Sequence, residues 1–373
     1  MAEDFLPFTR PSLDPDTIAG VGEVLASGWL ASGPWVERFE QALSDYHGGR
    51  PARVVTSGTA ALELALAACG IGPGDEVLVP AMTFAATANV VLRAGARPVF
   101  VDVDPKSRNL LPEDAEAAIT PRTRAIVPVH FSGLPADMAA IRDLAARHGL
   151  RVIEDAAHAI GARIDGRPVG SEGDIACFSF HPNKNMTSIE GGALLLDDAD
   201  ALQRIEALRF HGIRRNAKGE IDIVEAGGKF NLPDVNARVG CDQLARLDDF
   251  NARRRALAER YFEQLLSMRL PVELPARGDG GHAWHMFQLL IPFDALGLDR
   301  PGFIAAMRER GIGIGVHYPA LHETTLYRRL DPRPCPNASR VGRETVTLPL
   351  FPAMREPDVD RVCTALAEVL PGS

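Results

Sequence analysis

Cysteine is scarce in this chain and follows no pattern. The five residues, Cys69, Cys177, Cys241, Cys335 and Cys363, are an odd number scattered over 373 positions with no CxxC spacing. That excludes a disulfide framework and a zinc site, and it suits reduced thiols in a cytosol. Positive charge is also in short supply. The formal net charge is −9 and the isoelectric point about 5.6, so no basic field favours nucleic acid or an anionic membrane. No uncharged apolar run is long enough to span a bilayer. The opening Met1-Ala2-Glu3-Asp4-Phe5 lacks the basic and apolar regions of a signal peptide. A cytoplasmic location, without nucleic acid, membrane insertion or a metal, is the expectation. Walker A, GxSxG and HExxH patterns are missing too. Gly70-Ile71-Gly72-Pro73-Gly74 precedes an expected strand, and Gly311-Ile312-Gly313-Ile314-Gly315 follows a helix and leads into one. Both are in the wrong order for a dinucleotide fingerprint.

What is present suits a large core. The chain is 46% hydrophobic and 24% charged, ordinary for a globular protein, and its length suggests two domains. Between Arg53 and Asp197, apolar runs alternate with helical patterns. The runs lie near Val54, Val77, Val99, Val127, Val152, Ala176 and Leu194. They are continuous, as expected for strands covered on both faces. Helical stretches such as 59–68 and 137–148 separate several of them. The prediction is an α/β fold with a mostly parallel central sheet and helices on both faces. A helix is expected after Pro233. Arg253-Arg254-Arg255 and Glu259-Arg260 read as a solvated stretch leading out of the first domain. A large domain is therefore placed at 1–255, including an N-terminal arm, and a smaller α+β domain at 256–373. The latter should hold helices near 301–310 and 357–369, and strands near 286–291 and 313–317.

Two of the runs end in reactive groups. Val152-Ile153-Glu154-Asp155 closes one, and Phe178-Ser179-Phe180-His181-Pro182-Asn183-Lys184 follows another. A lysine amine can hold an aldehyde as a Schiff base. A carboxylate can keep a pyridine nitrogen protonated, which makes the ring an electron sink. In sheets of this kind ligands bind at the carboxyl ends of the strands, where both residues fall. The pair suits pyridoxal 5'-phosphate (PLP). Thr56-Ser57-Gly58-Thr59-Ala60 follows a short strand and opens an apolar helix. Alone it reads as a plain cap. Beside Asp155 and Lys184 it reads as a phosphate cradle, because helix N-termini present unpaired N–H groups. The Ser179 hydroxyl adds a further phosphate contact. Phe84 is placed to stack on a pyridine ring, although core packing is the commoner use of Phe. His158 is placed to contact the ring or the lysine, although a lone His is more often structural.

Many further stretches resemble one family. They include Ser27-Gly28-Trp29-Leu30, Ser57-Gly58-Thr59-Ala60-Ala61-Leu62, Gly72-Pro73-Gly74-Asp75-Glu76-Val77, Thr83-Phe84-Ala85-Ala86-Thr87 and Pro135-Ala136-Asp137-Met138, besides those around Asp155 and Lys184. Nearly the whole chain is similar to the DegT/StrS-type sugar aminotransferases, which are fold-type I PLP-dependent transferases. The resemblance implies that Lys184 is the Schiff-base lysine, Asp155 the partner of the pyridine nitrogen and His158 a third catalytic residue. It implies that Phe84 stacks on the ring, and that Gly58, Thr59 and Ser179 hold the phosphate. Gly228-Lys229-Phe230-Asn231 matches a segment that reaches into the neighbouring subunit, with Asn231 near the phosphate, so a homodimer with shared sites is implied. His317, Tyr318 and Trp29 are implied substrate contacts. The implied substrates are a nucleotide-linked 4-keto sugar and glutamate as amino donor. Phe5-Leu6-Pro7-Phe8, His282-Ala283-Trp284-His285 and Leu348-Pro349-Leu350-Phe351-Pro352 are most similar to the branch that aminates a UDP-linked 4-keto pentose for lipid A modification. Phe84 stands where that branch has Trp. An aminotransferase acting at C3 and a regulatory PLP-binding protein are the alternatives. Both Lys184 and Asp155 argue against the latter, since binding alone needs neither base nor electron sink.

Overall fold

The structure is a computed structural model that describes residues 5–371; residues 1–4, on which the signal-peptide reading rests, and 372–373 lie outside the described residues. Seven strands form the main sheet: β1 (Ala52–Val55), β2 (Glu76–Pro80), β3 (Arg97–Val101), β4 (Thr123–Ile126), β5 (Arg151–Asp155), β6 (Ile175–Ser179) and β7 (Gly192–Leu195). Their spatial order is β1-β7-β6-β5-β4-β2-β3. β2 pairs in parallel with β3 and β4, β4 with β5, and β5 with β6. β7 runs antiparallel to both neighbours. The mostly parallel sheet is thus the observed one, with a single reversed strand. β7 leaves the lysine loop after Glu190 and re-enters the sheet by pairing Gly192 with Ser179.

Continuous apolar runs became doubly covered strands. Every residue of β2 and β7 is buried. On one face pack the helices Gly58–Ala68 and Ala85–Arg93, through Leu62, Leu66, Ala88 and Val91. The opposite face is covered by Phe39, Leu43 and Leu244 in one cluster and by Ile141 and Leu144 in another. A separate core joins the helix Leu247–Met268 to an antiparallel pair, Phe287–Leu290 with Thr345–Leu348, and to the helices Arg300–Glu309 and Glu356–Val369. Ala320, Leu321, Tyr327 and Val341 return to the core of the large sheet.

Two local expectations are corrected. The arginine-rich stretch near 253–260 is the interior of the helix Leu247–Met268, not a solvated linker. Phe250, Arg254, Leu257, Tyr261 and Leu265 recur at helical spacing and form its buried stripe. Arg254 is 1% exposed and its Nη1 donates to the carbonyls of Leu350 (2.7 Å), His285 (3.2 Å) and Trp284 (3.4 Å). Counting charge hid the residue's place on the stripe. The segment 313–317 is not a strand. It makes one bridge, Gly315 to Thr347, and the preceding Ile312 makes another to Leu6. It is wedged between the N-terminal arm and the two-stranded sheet: a Cβ on Gly313 would sit 3.0 Å from the Phe8 nitrogen and 3.2 Å from the Pro7 Cα.

Candidate active site

The carboxyl ends of β1, β2, β5 and β6 converge on one cavity of about 320 Å³. Its lining includes Gly58, Thr59, Phe84, Asp155, His158, Ser179, Lys184, His317 and Tyr318. Residues far apart in sequence meet there because parallel strands deliver their ends to one edge.

At β1, Ser57 caps the helix Gly58–Ala68 by accepting from the Ala60 N–H at 3.1 Å. The earlier N–H groups of that turn have no partner within the helix. The approach is close. A Cβ on Gly192 would lie 2.6 Å from the Gly58 nitrogen, and one on Gly58 would lie 2.8 Å from the Ser179 Cβ. Glycine at both places lets the helix N-terminus, the end of β6 and the start of β7 crowd together.

Asp155 ends β5 and is 5% exposed. Its Oδ2 accepts from the Thr87 hydroxyl at 2.8 Å and its Oδ1 from the Ala157 N–H at 3.1 Å. Thr87 is itself bonded to Thr83 at 2.9 Å. Burial raises the proton affinity of Asp155. The Thr87 and Ala157 bonds and the charge of Lys184 oppose it. Lys184 follows β6 in a turn closed by its N–H to the His181 carbonyl at 2.9 Å. Burial pushes its amine down to about 8, against the pull of Asp155.

Three histidines surround the lysine. His158 packs against His285 with ring centroids 4.5 Å apart and planes tilted by 32°, and its Nε2 lies 3.3 Å from the Tyr318 hydroxyl. His317 Nδ1 meets the Thr347 hydroxyl at 2.8 Å. Burial, then the Lys184 charge, lowers His158 far below its usual range and His317 to about 4. His285 is held down by burial and by the His158 and Lys184 charges. All three are neutral at pH 7, so they crowd the amine without repelling its proton. At the mouth, Phe84 is 55% exposed, with its ring 5.6 Å from that of Tyr318.

Two of the residues marked in the sequence are not brought to this cavity. Trp29 is 60% exposed on the surface, and its N–H donates to the Ser27 hydroxyl. Asn231 pairs with Val55 in an isolated bridge and donates from Nδ2 to the Ser32 hydroxyl at 2.8 Å, while Lys229 Nζ contacts its Oδ1. The structure also adds residues that sequence reasoning passed over. Thr83 and Thr87, a hydroxyl pair at helical spacing after β2, was the signal for the Asp155 support. Glu190 and His181 line the cavity, and nothing in their local sequence marked them. His285 lies outside the lining given above but backs His158.

The donor set fits PLP. Asp155 is buried with no ion pair within 4 Å among the described residues, as a partner for a protonated ring nitrogen would be. The Nδ1 of His158, also buried, lacks a hydrogen-bond partner. Fold and site together are those of the fold-type I PLP-dependent transferases. The chain belongs to the DegT/DnrJ/EryC1/StrS aminotransferase family, which it matches over residues 11–367. Among solved structures it is similar to S. venezuelae DesV at 37% identity, with a TM-score of 0.88 and coverage of 97% of this chain and 98% of that one. Bacillus subtilis NtdA, solved with bound cofactor PMP, shares 32% identity (TM-score 0.87; 96% and 82% covered). Helicobacter pylori PseC, an aminotransferase of pseudoaminic acid biosynthesis, shares 25% (TM-score 0.92; 98% and 99% covered).

Proposed function

We propose that this enzyme moves the amino group of glutamate onto C4 of a nucleotide-linked 4-keto sugar, for lipid A or cell-surface polysaccharide modification. The observation that carries the reading is the placement of Lys184 and Asp155 in one cavity beneath a helix N-terminus. When bound there, PLP supplies an aldehyde carbon for amines and an electron-accepting ring. Gly58, Thr59 and the Ser179 hydroxyl would hold its phosphate, Phe84 would cover the ring, and His158 would lie against it. Asp155 would keep the proton on the ring nitrogen, its carboxylate fixed by Thr87 and Ala157. Lys184 Nζ would take the α-proton of glutamate and hand it on. An amine whose pKa is brought to about 8 is free often enough near neutrality to act as that base.

The sugar end of the site is the mouth formed by Phe84, His317 and Tyr318, with His181 and Glu190 beyond. Here the stretches shared with the lipid A branch support the 4-keto substrate, and amination at C3 is the competing reading. We further infer a homodimer in which Asn231 serves the partner's site, since in its own chain it bonds Ser32 outside the cavity. The test is a panel of nucleotide-linked 3-keto and 4-keto sugars incubated with glutamate and the PLP-loaded enzyme. Formation of a 4-amino sugar and 2-oxoglutarate is expected. Amination at C3 would correct the position. Activity restricted to 2-oxo acids would overturn the sugar substrate altogether.

A further inference from the structure

Behind the lysine loop lies a second, small cavity of about 10 Å³, between the N-terminal arm, the lysine loop and the helices that carry Gln243, Phe250 and Arg254. Its volume admits one solvent-sized particle. Three cationic side chains line it, Arg10, Lys184 and Arg254, and no carboxylate does.

Arg254 is the anomaly there. A guanidinium that is 1% exposed normally has an anionic partner, because an unpaired buried charge costs several kcal/mol even after relaxation. Among the described residues Arg254 has no ion pair, and burial alone lowers its proton affinity, to about 9. Its hydrogen bonds all leave from Nη1, and its buried Nε has no partner. One edge of a planar fork built for anions therefore goes unused. The neighbouring amides cannot take that edge. Gln243 Nε2 donates to the Ser12 carbonyl at 2.7 Å and its Oε1 accepts from the Thr187 N–H. Asn185 Oδ1, the acceptor, already meets His285 Nδ1 at 3.1 Å.

We propose that this cavity is a binding site for one small monovalent anion of the halide class, held by the Nε edge of Arg254. A water molecule would accept from Nε but would leave the buried charge uncompensated and would need acceptors for its own protons. The site touches Pro182, Lys184 and Thr187 on one side and Arg10 and Ser12 on the other. Occupancy would thus tie the lysine loop to the N-terminal arm.

The test uses the PLP-loaded enzyme in crystals grown without halide and then soaked in bromide. An anomalous peak within hydrogen-bond distance of Arg254 Nε is expected. In solution, Tm should rise saturably with chloride and not with gluconate at matched ionic strength. Gln243→Glu places a carboxylate on the cavity wall, so it should abolish both the peak and the chloride-specific rise. Density for water without anomalous signal, or a chloride effect that persists in Gln243→Glu, would overturn the assignment. These readouts do not depend on the sugar substrate, so they stand or fall apart from the proposed reaction.

Discussion

The floor and the mouth of the main cavity are built on different terms. The floor holds buried Asp155 and His158 and half-buried Lys184, hangs from adjacent strands of one sheet, and has its carboxylate braced by hydrogen bonds of 2.8–3.1 Å to Thr87 and Ala157. The mouth joins Phe84, which follows β2, to His317 and Tyr318 from the segment between the helix Arg300–Glu309 and the strand Thr345–Leu348, and Phe84 there is 55% exposed. Side chains on rigid elements hold reacting atoms to tight geometry, while looser, exposed ones adapt to what enters. On the proposed reading the floor would carry the chemistry and the mouth the choice of substrate, and each prediction below probes that division.

The largest effect should come from the floor. Lys184→Ala removes the amine proposed to carry the proton, and turnover should fall by about 10⁴-fold. PLP should still bind through the phosphate contacts, as read by absorbance after gel filtration. Near-wild-type turnover would end the assignment. Asp155→Asn should follow, at roughly 10²–10³-fold, because the amide cannot keep the ring nitrogen protonated. In the cofactor-free protein the same change should raise Tm at neutral pH. It removes a carboxylate whose ionisation burial disfavours, and active sites commonly trade stability for function in this way. A donor half-reaction of unchanged rate would refute the pairing.

The floor was also the legible part of the sequence, and the reason is physical. Parallel strands buried on both faces read as continuous apolar runs, and ligand groups fall at their ends, so Asp155 and Lys184 could be placed without coordinates. The second tier could not. Whether Thr87 reaches Asp155, or His285 packs against His158, depends on packing between segments 68 and 127 positions apart, which no local pattern encodes. The reversed strand β7 looks like its parallel neighbours because burial, not direction, sets its composition. Arg254 shows the same limit from the other side: its charge suggested solvent, while its helical phase put it in the core.

The shared-site reading gives the next effect. Lys184→Ala and an Asn231 variant, each inactive alone, should regain activity on mixing. In a two-fold dimer one hybrid site carries both lesions and the other neither, so roughly a quarter of wild-type sites return with random exchange. Asn231→Phe, bulkier than Asn231→Ala, is the variant for this test. Confirmed subunit exchange with no return of activity would sink the model. A smaller change is expected at the mouth. Tyr318→Phe deletes the 3.3 Å contact to His158 Nε2, a net loss on the order of 1 kcal/mol. It should cost several-fold in kcat/KM for the sugar half-reaction and leave the glutamate half-reaction nearly unchanged. Equal losses in both would erase the distinction between mouth and floor.

The smallest expected effect is a slope. In the cofactor-free protein Lys184 gives up its proton near pH 8, against 10.5 for an ordinary lysine. Below pH 8 the amine is charged in folded and unfolded chains alike. Between about 8 and 10.5 the unfolded chain still holds the proton and the folded one does not. Unfolding then takes up a proton, so this group makes stability increase with pH across that window. His158, His285 and His317 are already neutral there, so none of them titrates in it. Other lysines, tyrosines and thiols do, which makes the informative quantity a difference between two proteins. The unfolding free energy of the wild type, measured in urea at the two ends of the window, should rise more steeply than that of Lys184→Met, which keeps the side chain's bulk without its amine. Part of the lysine surface faces the open cavity, and solvent there weakens the effect, so only its sign is predicted. Parallel slopes in the two proteins would mean that Lys184 titrates like a lysine in water, and the lowering of its proton affinity by burial would be refuted.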